Sequence, residues 1–218
     1  SFLMFWNHIQ KQISSHIGQS FTIQQRQSVG GGSINQAYKL SDGNNHFFVK
    51  TNRRQLHYMF EAESSALDLL FRSKSIKVPE PIETGVFGHE AYIIMSWIDF
   101  SGQPSATQFA TKLAALHHCR ESRFGFSIDN TIGSTPQLNQ WSNDWIDFWK
   151  KQRLVYQLGL IKKNGLNHVI YDQGMKLLEK TPLFFTSYNP QPALLHGDLW
   201  SGNWGADDHG QPVIFDPA

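Results

Sequence analysis

The strongest constraint on this chain lies near its end, in LLHGDLWSGNWGADDHGQPVIFDPA, where short apolar strands surround a polar, glycine-containing loop. Asp198 and Asn203 stand five residues apart in that loop, and Asp216 follows thirteen residues after Asn203, behind the apolar run PVIF. The rest of the chain must build a body that seats this loop.

Upstream, the hydrophobic period changes several times. Phe2, Trp6, Ile9, Ile13 and Ile17 recur at helical spacing and Gly18 follows as a cap, which predicts an amphipathic opening helix. Short strands are expected between Phe21 and Lys50, with Asp42-Gly43 as a hairpin turn. The helical period returns over Tyr58–Phe71, with Met59, Ala62, Ala66, Leu67 and Leu70 on one side. Pro79 and Pro81 break it, and IETGVF and AYIIMSW form a second hairpin. After a connector at Asp99–Gln103, helices are expected over ATQFATKLAALHH, Trp141–Lys163 and His168–Glu179. The pattern predicts an α+β, two-lobed plan: a β-rich N-lobe over residues 1–98 and a mainly helical C-lobe over residues 99–218.

Composition removes several function classes. Nineteen basic and eighteen acidic residues give a net charge of +1, without the cationic excess that nucleic-acid binding needs. With 40% apolar and 17% charged residues the chain can fill a core and does not read as disordered. Its single cysteine, Cys119, excludes an internal disulfide framework or a cysteine-rich metal site. No apolar run approaches the ~18 residues of a membrane span. The start SFLMFWNHIQ lacks a basic leader, so a cytoplasmic protein is expected, with no membrane or nucleic-acid partner. Oligomeric state is not encoded in these features.

The terminal loop has the spacing used for phosphoryl transfer: a loop Asp, an Asn shortly after it, and an Asp at the end of the next strand. Asp198 suits a group that orients an attacking hydroxyl and accepts its proton. Asn203 and Asp216 offer hard oxygen ligands for Mg²⁺ beside the phosphates of ATP. Lys50, ending HFFVK, can reach those phosphates if an acid holds it. Glu61 and Glu63 on the next helix are two apart, so only one can face it. In VGGGSINQ, Gly31, Gly32, Ser33 and Asn35 can cover phosphates with backbone and side-chain donors, although consecutive glycines fit neither G-x-G-x-x-G nor a Walker loop. Backbone near Ser96, Trp97 and Ile98 is placed to meet an adenine ring. Trp200, inside the loop, is expected to stack on a sugar or shape the acceptor pocket. The aromatics Trp141, Trp145, Phe148 and Trp149 read as core.

HGDLWSGN with its following DPA, together with TPQLNQW at Thr135–Trp141 and MFEAE before an apolar helix, resembles the fructosamine kinase (ketosamine-3-kinase) family over the whole chain. The resemblance implies a protein-kinase-like, aminoglycoside-phosphotransferase-like bilobal fold. It also implies ATP- and Mg²⁺-dependent phosphorylation of the third-carbon hydroxyl of ketosamines, followed by elimination that frees the amine. It assigns Asp198 as base, Asn203 and Asp216 as metal ligands, Lys50 with Glu63 as the phosphate-orienting pair, and Gly31 to Asn35 as the phosphate cover. Family members continue past the position of Ala218 with further helices, so the resemblance also implies a shortened C-lobe. Two alternatives share the skeleton: a kinase of another alcohol, such as an aminoglycoside or choline, and a catalytically inactive nucleotide-binding module. A protein kinase fits less well, because HGD and DPA stand where HRD and DFG would.

Overall fold

The computed structural model describes residues 1–30 and 34–218. The chain divides into two compact units, one formed by Ser1–Leu116 with Leu195–Ala218, the other by His117–Leu194.

The first unit is built on an antiparallel sheet of β1 (Gln25–Ser28), β2 (Gln36–Ser41), β3 (His46–Arg53), β4 (Pro81–Phe87) and β5 (Glu90–Ser96), in the order β1-β2-β3-β5-β4. Alternation along β3 sends Phe47 and Val49 to one face and Phe48 and Lys50 to the other. The first face is covered by α1 (Phe2–Ile17), whose Phe5, Trp6, Ile9 and Ile13 pack with Phe21, Leu40, Phe47, Val49, Tyr92 and Ile94. Gly18 ends this helix at φ 69°, a left-handed value that favours glycine. The opening helix forms as its period predicts, but Phe5 rather than Phe2 is buried. Phe2 lies at the rim, edge-on to Trp6, with the Arg26 guanidinium 4.5 Å from its ring centre.

The β2–β3 turn is held by Asp42, whose carboxylate accepts the backbone N–H groups of Asn44 and Asn45. Helix α2 (His57–Ser73) buries Phe60, Ala62, Leu67 and Leu70 and reaches the Lys50 face of the sheet through Glu63. After α3 (Ala106–Leu116), the first unit is completed by a short hairpin of β8 (Trp204–Ala206) and β9 (Pro212–Ile214). Phe109 of α3 stacks on Trp204 at 4.2 Å between ring centres. The Ile214 N–H donates to the Lys77 carbonyl at 3.0 Å, which joins β9 to the segment between α2 and β4.

The second unit holds the hairpin β6 (Asn130–Ile132) and β7 (Thr135–Gln137), then α4 (Trp145–Phe148), a π-helical turn at Trp149–Leu154, α5 (Val155–Lys163) and α6 (His168–Lys180). The helix expected from Trp141 starts at Trp145, because Asp144 caps it by accepting the Asp147 N–H at 2.7 Å. The buried Asn139 gathers this unit. Its amide donates to Asn130 Oδ1 and the Ile128 carbonyl, and its Oδ1 accepts from Arg153 Nη2 at 2.8 Å. Arg153 lies inside the π-helical turn, and its guanidinium also donates to the Leu138 carbonyl. Among the described residues no helix is long and apolar enough to cross a membrane.

Ile9 is fully buried between α1 and the sheet. Ile9→Ala is expected to lower unfolding free energy by about 2–5 kcal/mol. Urea denaturation monitored by tryptophan fluorescence checks this, and an unchanged midpoint would contradict the packing described.

Candidate active site

The site is organised around one ammonium group. Lys50 projects from the middle of β3, is 7% exposed, and places Nζ 2.6 Å from Glu63 Oε1 and 2.6 Å from Asp216 Oδ1. Glu61 faces away, beside His57. Burial opposes the charge on Lys50, but Glu63 and Asp216 outweigh it and hold its pKa above the ordinary lysine value. Burial pushes Glu63 up, and the attraction of Lys50 offsets only part of this. Lys50 thus remains an ammonium, and its two acids come from α2 and from the end of the chain.

Asp216 follows β9 at φ 52°, a left-handed value that strains a residue other than glycine. Its side chain is 45% exposed, so one carboxylate can touch Lys50 and still face solvent. The loop carrying Asp198 is tied to the same strand end. His196, 2% exposed, accepts the Asp198 N–H on Nδ1 at 3.2 Å and meets the Phe215 carbonyl through Nε2 at 2.6 Å. With Nδ1 accepting, Nε2 must carry the hydrogen, so His196 is the neutral Nε2–H tautomer. Burial lowers its pKa, which agrees with that form. The Phe215 N–H donates to the Asn203 carbonyl, the Ala218 N–H donates to the His196 carbonyl, and Gly197 lies so close to Ala218 that a Cβ would overlap its carbonyl.

Asn203 is buried, and its amide donates to the Asp198 carbonyl at 2.9 Å. This fixes the amide and leaves Oδ1 as the acceptor. Among the described residues no hydrogen bond or ion pair ends on the Asp198 carboxylate, and no group of three His, Cys, Asp or Glu side chains could hold a metal ion. A metal held here would therefore rest on the Asn203 amide oxygen, Asp216 and oxygens of a nucleotide. That donor set fits Mg²⁺, which accepts few protein ligands and hard oxygens.

The remaining expected residues are distributed as follows. Gly31, Gly32 and Ser33 lie outside the described residues. Asn35 is held by Asn52, whose amide donates to Asn35 Oδ1 at 2.7 Å and to the Ile34 carbonyl. Asn52 lies two residues beyond Lys50 on the same face of β3, and its position in the strand alternation is the signal that could have found it. Ser96 donates its N–H to the Glu80 carbonyl and accepts the Glu80 N–H on Oγ, so both groups hold the start of β4. Trp97 lies 6.1 Å from Phe48 between ring centres and 4.6 Å from Lys39 Nζ, and the Ile98 side chain is buried. Trp200 is 60% exposed, with its ring folded against Gly202.

The sequence profile of fructosamine kinase matches residues 5–218. A Synechocystis protein named "probable ketoamine kinase" is 42% identical over 98% of this chain and 72% of its own length. The chloroplastic protein-ribulosamine 3-kinase of Arabidopsis thaliana is 44% identical over 88% of this chain, and the match spans 60% of the plant protein. A crystal structure from Haemophilus somnus, named "putative fructosamine-3-kinase", superimposes with a TM-score of 0.85 at 26% identity, over 98% of this chain and 72% of that one. Aminoglycoside phosphotransferase APH(4)-Ia, as a ternary complex with ADP and hygromycin B, shares the fold at a TM-score of 0.61 and 15% identity, over 95% of this chain and 70% of its own.

Because His196 is buried in its neutral form, unfolding lets it take up a proton below its ordinary pKa near 6.5. Its contribution to stability is complete above about pH 6.5 and falls as pH drops from there toward its lowered folded pKa. The stability difference between wild type and His196→Gln is expected to narrow as the pH falls below 6.5. Urea titrations at several pH values measure it, and a difference that widens on acidification would contradict the neutral assignment.

Proposed function

The chain belongs to the fructosamine kinase family, and from that membership we propose that it transfers the γ-phosphoryl group of ATP to the third-carbon hydroxyl of a ketosamine. The observation that carries the reading is the Lys50 ammonium in contact with both Glu63 and Asp216. That contact joins β3 and α2 to the chain end at Asp216, whose neighbour Phe215 is tied through His196 to the loop that bears Asp198.

Each role follows from the local chemistry. Among the described residues no hydrogen bond or ion pair ends on the Asp198 carboxylate, in a loop whose backbone is fixed by His196 and Asn203. Asp198 orients the acceptor hydroxyl and takes its proton as the oxygen–phosphorus bond forms and the bond to the β-phosphate oxygen breaks, with ADP leaving. Glu63 holds Lys50 toward the α- and β-phosphates. Asn203 and Asp216 would hold Mg²⁺, which would supply neutralisation of charge on the phosphates. Asn35 covers the phosphates together with Gly31, Gly32 and Ser33. The Ser96 N–H is engaged with Glu80, so adenine recognition falls to backbone of Trp97 and Ile98 and to the Ser96 carbonyl. Trp200 offers an exposed ring to the sugar of the acceptor. Residues 1–98 cover the nucleotide, and residues 99–218 carry the catalytic loop and the acceptor site. The product ester would then eliminate and release the amine, which makes deglycation of amines or proteins the purpose of the reaction.

Removing the base should cost turnover without costing nucleotide binding. Asp198→Asn is expected to lower kcat by roughly 10²–10⁴-fold while ATP affinity stays largely intact. Coupled ADP detection against ribulose-amines, fructose-amines and aminoglycosides, with calorimetry for ATP, checks both halves. Full activity of the variant removes Asp198 as the base. Wild-type turnover of aminoglycosides alone replaces the ketosamine assignment, and ATP binding with no transfer to any acceptor overturns the enzymatic reading.

A further inference from the structure

Asp207 is a buried acid that the proposed chemistry does not use. Its side chain is 3% exposed, and its carboxylate accepts from Lys77 Nζ at 2.7 Å, the His209 N–H at 2.9 Å and the Gln211 N–H at 2.8 Å. Burial opposes its ionisation, but Lys77 and the two backbone donors outweigh this and hold its carboxyl below the usual carboxylate range. Its own N–H and carbonyl close the β8–β9 turn through Gln211 and Gly210. Gly102, from the connector after β5, approaches its carbonyl so closely that no Cβ would fit.

This arrangement does more than close a turn. Strands β8 and β9 have three residues each, too few to hold a hairpin in place by their own pairing. Asn203 immediately precedes β8, and Asp216 lies two residues after β9. Lys77 grips the hairpin at two points, its ammonium on Asp207 and its carbonyl on the Ile214 N–H. It sits just beyond α2, the helix that carries Glu63. We propose that Lys77 and Asp207 are a positioning pair that sets the β8–β9 hairpin against the α2–β4 segment and so holds Asn203 and Asp216 in register with Lys50 and Glu63. The inference rests on the reading of Asn203 and Asp216 as Mg²⁺ ligands.

The readout is calorimetric binding of a non-hydrolysable ATP analogue with and without Mg²⁺ and without any acceptor. Lys77 is 47% exposed, so Lys77→Met tests the pair without opening the core. The expected result is a loss of roughly tenfold in the enhancement of nucleotide affinity by Mg²⁺, the scale on which outer-shell partners tune metal sites. Metal-free binding should be unchanged, Lys77→Arg should keep most of the enhancement, and Asp207→Asn added to Lys77→Met should lose little more. An intact enhancement in folded Lys77→Met, or an equal loss of metal-free binding, overturns the proposal. If Asp207→Asn does not fold, Lys77→Met against Lys77→Arg decides alone. A wild type that shows the enhancement but phosphorylates no ketosamine removes the acceptor assignment and leaves this pair standing. A wild type without the enhancement removes the metal assignment and the pair's role with it.

Discussion

The first unit depends on keeping one lysine charged where water is nearly absent. An ammonium in such a place is expensive unless paired, and Lys50 has two partners, one 13 and the other 166 residues away in the chain. To bring Glu63 there, α2 must lie on the Lys50 face of the sheet. To bring Asp216 there, the chain must return from the second unit and run through the β8–β9 hairpin. Removing either acid would leave a charge less well paired, so helix, strand and chain end constrain one another.

The loop before the hairpin uses the opposite device. His196 is buried as a neutral ring, with one nitrogen accepting from the Asp198 backbone and the other donating to Phe215. A charged imidazolium could not accept from Asp198, so neutrality is what lets the ring bridge the loop and the strand end. Asn203 adds a second bridge, from its side chain to Asp198 and from its carbonyl to Phe215. Asp198 is thereby fixed through its backbone while its carboxylate stays available.

Much of this could be read before the fold was known. Periodicity located α1, α2 and both hairpins of the sheet, because apolar spacing and turn chemistry are local. Spacing also singled out Asp198, Asn203, Asp216 and Lys50 as candidates, because the chemistry of phosphoryl transfer calls for these residue types at these intervals. Other features were hidden. The helix after Trp141 starts late because Asp144 forms a cap, a choice made by one hydrogen bond. Phe5 rather than Phe2 enters the core, while Phe2 rests against Trp6 and Arg26. Ser96 gives its N–H to Glu80, and Asp207 pairs with Lys77, 130 residues away, neither of which has any mark in local pattern.

The sequence by itself determined the amphipathic character of α1 and α2, the two hairpins of the sheet and the identity of the polar residues that could carry phosphoryl chemistry. Those properties follow from side-chain type and short-range period, which every stretch of chain carries with it. Only the tertiary structure decided that Glu63 rather than Glu61 meets Lys50, that one ammonium serves two acids, and that Asp207 anchors the hairpin. Each of these is settled by distance between residues far apart along the chain, and burial then enforces the choice, because an unpaired charge in the interior would cost more than the fold could offset.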